Sequence, residues 1–237
     1  VLKGNLRKKE ELKQEIIAKA PDNLVLSFYE TKTSGDAKIL AEKAMYASTD
    51  YLVAVGGDGM LNEVVNGYMN ATSENRGKTV VGLLPYGTGN DFSKTIGMKN
   101  SVEQLFHLIS AHSVKPVDLG LLTFTSHSNQ SEKRYFINIT DIGIGGFVVK
   151  DVNLSSKLLG ADLTYTKAII KSFFTYRHTV VKLTSDAFIW EGPILSLCLA
   201  NGRYFGSGLC IAPDADVSDG LLQLVIMGKV SIWDYLK

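Results

Sequence analysis

Aspartates set among glycines carry most of the chemistry open to this chain. Asp58 stands in the turn Gly56-Gly57-Asp58-Gly59, and Asp91 closes the loop Pro85-Tyr86-Gly87-Thr88-Gly89-Asn90-Asp91. Asp118 lies in Val117-Asp118-Leu119-Gly120, and Asp214, Asp216 and Asp219 crowd the short stretch Ala212 to Gly220. Glycines permit tight turns with positive φ and leave backbone N–H groups uncovered, which are the donors a phosphate needs. A carboxylate among those donors repels phosphate unless a cation or a transferable proton mediates. The combination points to a magnesium–nucleotide site or to acid–base chemistry. No Lys-Ser/Thr follows the glycines, so this is not the Walker pattern, and the spacing is not the G-x-G-x-x-G of dinucleotide sites.

The elements that must hold these residues follow from the apolar pattern. Tyr51 to Val55 is an apolar, partly β-branched run that predicts a buried strand. After the glycine turn, Leu61, Val64, Val65, Tyr68 and Met69 repeat on one face of a helix, with Asn62 and Glu63 on its first turns. A glycine turn from a strand into a helix N-terminus is an anion cradle, since free N–H groups and the helix dipole both favour phosphate. Lys78 to Leu84 predicts a second buried strand, running into the loop that ends at Asp91. Upstream, Leu6 to Ala20 predicts a surface helix and Asn23 to Thr31 a strand. Thr31 to Ala37 leads into a helix through Tyr46, which Ser34 or Asp36 could cap. Ser101 and Gln104 form a capping-box pattern ahead of a helix that turns Val102, Leu105, Phe106 and Ile109 inward. Alternating strands and helices imply a parallel sheet, and ligands of such sheets sit at the carboxyl ends of the strands. Asp58 and Asp91 are thus expected on one rim.

The period changes after Pro116. Val117 to Thr125 and Arg134 to Ile142 are β-rich and joined by a polar loop, a predicted hairpin. Gly143, Gly145 and Gly146 predict a close backbone approach. Asp162 to Arg177 predicts a long helix, and Thr179 to Thr184, Phe188 to Trp190 and Ile194 to Ala200 predict further strands. The expected architecture is an α/β nucleotide-binding domain with a parallel sheet over residues 1–116, then an antiparallel β-sandwich domain over 117–237. By spacing alone, the aspartates of 212–220 suit either a plain acidic turn or magnesium, which prefers carboxylates, carbonyls and waters.

Composition narrows the class. With 45% hydrophobic and 21% charged residues, the 237-residue chain reads as a soluble globular protein. A formal net charge of +1 gives no case for nucleic acid as a partner. No apolar run is long enough to span a bilayer, and no stretch of the sequence reads as a signal peptide. Cys198 and Cys210 lie in apolar strand-like runs and read as buried cytosolic thiols. Exposed sandwich edges could pair two copies as a homodimer.

Gly56-Gly-Asp-Gly-x-x-Asn-Glu-Val-Val-Asn-Gly67 closely resembles the signature of the diacylglycerol kinase catalytic domain, a superfamily that includes sphingosine kinases and, more distantly, NAD kinase. The resemblance continues in Leu84-Pro-x-Gly-Thr-x-Asn-Asp-Phe92, Val117-Asp-Leu-Gly120 and Ala212-Pro-x-Ala-x-x-x-Asp-Gly220. It implies transfer of the ATP γ-phosphoryl to a lipid hydroxyl, most simply that of diacylglycerol, by a cytoplasmic protein working at the inner membrane face. Undecaprenol or a sphingoid base, NAD, and a non-catalytic nucleotide- or lipid-binding role are the alternatives. The resemblance assigns the nucleotide to Thr31 (with Thr33 second), Gly56, Gly57, Asp58, Gly59, Asn62, Glu63, Thr88 and Asn90. It places Asp58, Asp91 and Asp118 in one catalytic network and a structural Mg2+ on Asp216, Asp219 and the Leu221 carbonyl. Met60 stands where the family usually has Thr. The Asp-Gly-Glu motif that supplies the base in bacterial members is absent, so the base is expected beyond Lys237, with Asp58 as the alternative; an N-terminal strand is likewise expected to be missing.

Overall fold

The computed structural model describes residues 6–148, 171–172 and 175–228. The chain divides into two compact units, Val1–Asn138 with Asn201–Leu221, and Ile139–Ala200 with Leu222–Lys237. The change of period at Pro116 had suggested an earlier division. The hairpin that follows Pro116 instead belongs to the first unit, and the chain comes back to that unit after leaving it.

The first unit begins with α1 (Leu6–Lys19) and α2 (Asp36–Tyr46), then β1 (Tyr51–Gly56), α3 (Asp58–Asn70), α4 (Ser73–Arg76) and β2 (Val80–Pro85). Next come α5 (Asp91–Ile96), α6 (Val102–Ser110) and the hairpin of β3 (Gly120–Thr125) and β4 (Ser131–Phe136). β1 and β2 pair in parallel, Tyr51 beside Val80 through to Gly56 beside Pro85, so both glycine loops leave the same end of the sheet. The strands are apolar on both faces because helices cover both. Ala54 and Leu83 pack with Ala37 and Ala41 of α2 and Leu61, Val64 and Val65 of α3. Leu84, with Val53 and Val55, packs with Leu12 and Ile16 of α1 and Val102, Leu105 and Phe106 of α6. The Ser101 hydroxyl accepts the Gln104 N–H as the capping pattern predicts, while the Gln104 side chain reaches back to the N–H of Lys99.

One element differs from expectation. Residues 23–26 alternate as a strand would, with Leu24 and Leu26 half-buried and Val25 exposed, yet 23–31 join no ladder among the described residues. Alternation fixes which side chains face inward; it does not supply a hydrogen-bonding partner.

The end of the signature motif is a packing device. Asn66 is buried, and its amide donates to the Tyr135 carbonyl (2.9 Å) while accepting the Tyr135 N–H (2.9 Å), which fastens β4 to α3. Gly67 faces α2 so closely that an added Cβ would stand 2.2 Å from the Lys38 carbonyl oxygen and 2.8 Å from the Ala41 Cβ.

The second unit holds β5 (Ile139–Gly143), β6 (Thr179–Thr184), β7 (Ile189–Ile194) and β8 (Ser196–Ala200). The chain then forms β9 (Tyr204–Phe205) and β10 (Leu209–Cys210) in the first unit and ends in the second with β11 (Gln223–Met227). The sheets are antiparallel as expected: β11-β8-β5, and the hairpin β6-β7. The helix predicted over 162–177 lies largely outside the described residues. Cys198 is buried, whereas Cys210 is exposed in a two-residue strand too short to bury its own side chains. Asp141 of β5 stands opposite Cys198, and one of its carboxylate oxygens is buried with no hydrogen-bond partner among the described residues, where a Cβ on Gly145 would be. Burial raises the Asp141 pKa, with the Gly145 N–H opposing, and burial pushes the Cys198 thiol up to about 11.

Two outcomes follow. Gly67→Ala should destabilise by about 1–3 kcal/mol through overpacking against α2, read by chemical denaturation. Because the folded state raises the Asp141 pKa, its penalty is absent at acid pH and grows as pH rises through that pKa. Asp141→Asn should therefore gain stability relative to wild type as pH rises above the ordinary aspartate range, and parallel pH curves would refute the assignment.

Candidate active site

The two glycine loops at the carboxyl ends of β1 and β2 touch. A Cβ added to Gly87 would lie 2.4 Å from the Gly57 Cα and one added to Gly57 3.2 Å from the Gly87 Cα, so a side chain at the crossing requires the loops to shift, most of all at Gly87. Asp58 joins them. Its carboxylate accepts the N–H of Asp91 (3.0 Å) and of Phe92 (2.9 Å), capping α5 from the neighbouring loop. Asn90, at the start of α5, adopts φ 51° and offers α5 no side-chain cap. Its amide closes its own loop, accepting from the Gly87 N–H (2.9 Å) and donating to the Gly87 carbonyl (2.7 Å).

Asp91 is buried and fully engaged. One carboxylate oxygen receives Lys94 Nζ at 2.9 Å and the other the Ser207 N–H at 2.9 Å. The carboxylate thus keeps an opposite charge as a direct partner, which an ionised group at that depth requires. Asp58 and Asp91 do share one rim, as the sheet topology predicts.

Asp118 joins neither of them directly. It is tied to the acidic loop, its N–H donating to the Val217 carbonyl (2.7 Å) and its Oδ2 accepting the Gly220 N–H (2.7 Å). Asp216 accepts the Ser218 hydroxyl (2.8 Å) and N–H (3.0 Å), and Asp219 accepts the Leu221 N–H (2.9 Å). The Ser218 hydroxyl and N–H hold the Asp216 carboxyl below its ordinary range, with smaller contributions from Arg203 and Lys115. Among the described residues no three acidic, histidine or cysteine side chains converge to cage a metal.

The helix that follows the first loop presents its N-terminus openly. Gly57 caps α3 with extended backbone and no side-chain hydrogen bond, and among the described residues no side chain is bonded to the first-turn N–H groups, which suits them to an anion. Glu63, expected at the nucleotide, faces α2 instead. It accepts from the Gly35 N–H (2.9 Å), the Ala37 N–H (3.2 Å) and the Ser34 hydroxyl (3.2 Å). Asp36 shapes the same turn, accepting from the Thr33 N–H (2.8 Å) and hydroxyl (2.9 Å) and from the Lys32 N–H (2.7 Å), bonds that hold its pKa low. Thr33 is thereby engaged, Thr31 stays half-buried beside the turn, and Thr88 is exposed. Met60 packs against the core of α2 and α3, so the missing hydroxyl is replaced by apolar contact.

Against this geometry, the family model of the diacylglycerol kinase catalytic domain matches residues 3–122. The chain belongs to that family of lipid kinases. A second model, the YegS C-terminal NAD kinase beta sandwich-like domain, matches residues 138–237 and begins where the second unit does. A Pseudomonas aeruginosa protein named Probable lipid kinase YegS-like is 30% identical over 96% of this chain and 70% of its own length. The diacylglycerol kinase of Bacillus subtilis is 29% identical over 88% of this chain and 67% of its own. A crystal structure of a diacylglycerol kinase from Bacillus anthracis superposes with a TM-score of 0.60 at 25% identity, over 87% of this chain and 64% of that one. A second Bacillus anthracis structure reaches a TM-score of 0.70 at 24% identity over 98% and 73%. Among the described residues no helix is long and apolar enough to cross a membrane.

Sequence reasoning missed Lys94, Ser207 and the capping role of Glu63. Lys94 lies one helical turn after Asp91, and that spacing alone could have found it. Ser207 is 116 residues from its partner and carries no local signal. Asp58→Ala should leave the two N–H groups at the start of α5 unpaired. We expect a loss of about 1–3 kcal/mol in denaturation and loss of any nucleotide-dependent activity; wild-type activity in a folded variant would refute the joint.

Proposed function

We propose that this chain transfers the γ-phosphoryl group of Mg-ATP to the hydroxyl of diacylglycerol, giving phosphatidic acid and ADP. What supports the reading is the joint between the loops. Asp58 holds the second loop against the N-terminus of α3, so both glycine loops border the place where the phosphates would lie. Family membership supplies the class of acceptor.

In this reading the N–H groups of Gly57, Asp58 and Gly59 hold the phosphates, with Gly56 allowing the turn. Thr88 and Asn62 add polar contacts at the rim, while Asn90 fixes the backbone of the second loop. Glu63 acts at one remove, shaping the 31–36 turn so that Thr31 meets the nucleotide. Lys94 offsets charge as the transferring group loses its bond to the β-phosphate, which is where such reactions need electrostatic help. The lipid oxygen bonds to phosphorus, the bond to the β-phosphate oxygen breaks, and the alcohol proton passes to a base. Both oxygens of Asp58 already accept N–H groups, which favours a positioning role for it over that of the base.

The acidic loop fits a hydrated magnesium ion. Asp216 and Asp219 each direct one oxygen to the loop itself and keep a second without a hydrogen-bonded protein partner among the described residues. With the Leu221 carbonyl they would hold the ion, whose charge would offset the crowding of carboxylates. Asp118, bonded to Gly220, would carry that order toward the rim. The lipid would be met at the membrane surface by a cytoplasmic, peripherally bound protein, alone or as a homodimer.

Labelled-phosphate transfer from Mg-ATP tests the reading, with diacylglycerol, undecaprenol and sphingosine in mixed micelles and NAD in buffer as acceptors. We expect label on diacylglycerol, reduced by a factor of at least about 10³ in Asp91→Ala. Label on another acceptor alone would keep the kinase and replace the substrate. ATP binding without transfer to any acceptor would overturn the enzymatic reading.

A further inference from the structure

The turn between β9 and β10 is the most conformationally costly described segment of the first unit. Gly206, Ser207 and Gly208 follow one another at φ 62°, 73° and 117°, all in the left-handed region. Glycine accepts such backbone freely; a residue with a Cβ does so at a cost, of order 1–3 kcal/mol where the conformation is sparsely populated. Both flanking positions are glycine and the central one is not. Packing does not explain the exception, because Ser207 is exposed. The bond from its N–H to Asp91 does not explain it either, since glycine would make the same bond.

The hydroxyl is what glycine would lack. Among the described residues it has no hydrogen-bond partner, and its surroundings are those of the rim. A Cβ built on Gly89 would stand 3.3 Å from Asp58 Oδ2, 3.7 Å from Asp91 Oδ2 and 3.7 Å from Ser207 Oγ, so these atoms surround one point above the second loop. Lys94 Nζ lies against the same turn, 3.2 Å from where a Cβ on Gly208 would be. An anion entering between two carboxylates needs donors directed at it. Here the Ser207 N–H occupies an oxygen of Asp91, while the hydroxyl of the same residue remains to be donated.

We propose that Ser207 is a catalytic residue whose hydroxyl donates to an oxygen of the phosphoryl group being transferred, beside Lys94. The inference rests on the kinase reading above and adds a donor to the same site. The strain in the turn is then retained because it presents a hydroxyl where glycine would present none.

Binding and stability separate the possibilities without depending on turnover. Ser207→Gly removes the hydroxyl and relaxes the turn; Ser207→Ala removes the hydroxyl and keeps the strain. Dissociation constants for Mg-ADP and for a non-hydrolysable Mg-ATP analogue are measured by calorimetry on the whole chain, with thermal melting alongside. We expect both variants to bind the triphosphate analogue about tenfold more weakly, the effect of one hydrogen bond to a charged group, and ADP within about twofold of wild type. The Gly variant should melt no lower than wild type. Unchanged binding of the triphosphate in a folded variant would overturn the assignment, as would an equal loss for ADP. A wild-type chain that binds neither nucleotide would instead remove the functional reading on which the inference stands.

Discussion

A single carboxylate between two glycine loops fixes the geometry on which the site depends. Asp58 sits at the end of one strand and accepts two N–H groups at the start of the helix that follows the next. The parallel register of β1 and β2 brings the loops to one edge, but register alone leaves them as two separate turns. The carboxylate converts them into one surface. It also explains why both crossing points are glycine, since a side chain at Gly57 or Gly87 would push the loops apart and lengthen those bonds.

Around this joint each acidic group has its own hydrogen-bond partners. Asp58 is capped by backbone, Asp91 by Lys94 and Ser207, and Asp118 by Gly220. The segment 201–207 connects the last two. Asn201, fully buried, donates from its amide nitrogen to the carbonyls of Asp118 and Ile137, both at 2.8 Å. Arg203 and Tyr204 are held by Thr95 and Asn138, and Ser207 then reaches Asp91.

Much of this was legible in the chain because local rules produced it. The β1–turn–α3 unit, the second loop and the rim shared by Asp58 and Asp91 follow from apolar period and glycine placement. Less legible were the roles inside the signature. Glu63, assigned to the nucleotide, and Asn66 and Gly67, which close the signature, cap α2, hold β4 and admit α2, contacts made by residues far away in sequence. The 23–26 stretch has a strand's alternation without a partner among the described residues, and the hairpin after Pro116 changes period while grouping with the first unit. Ser207 could not be found at all, since a left-handed serine has no compositional mark.

The return of residues 201–221 to the first unit has a consequence for biosynthesis. A ribosome delivers both glycine loops and Asp91 early, but the N–H that completes Asp91 belongs to Ser207, made 116 residues later. Residues 139–200 of the second unit are inserted between two parts of the first. The rim therefore matures only after that insertion has been synthesised, and a nascent chain carries an unfinished phosphate cradle. Splitting such a gene at the apparent border between its two units would separate the site from one of its own walls.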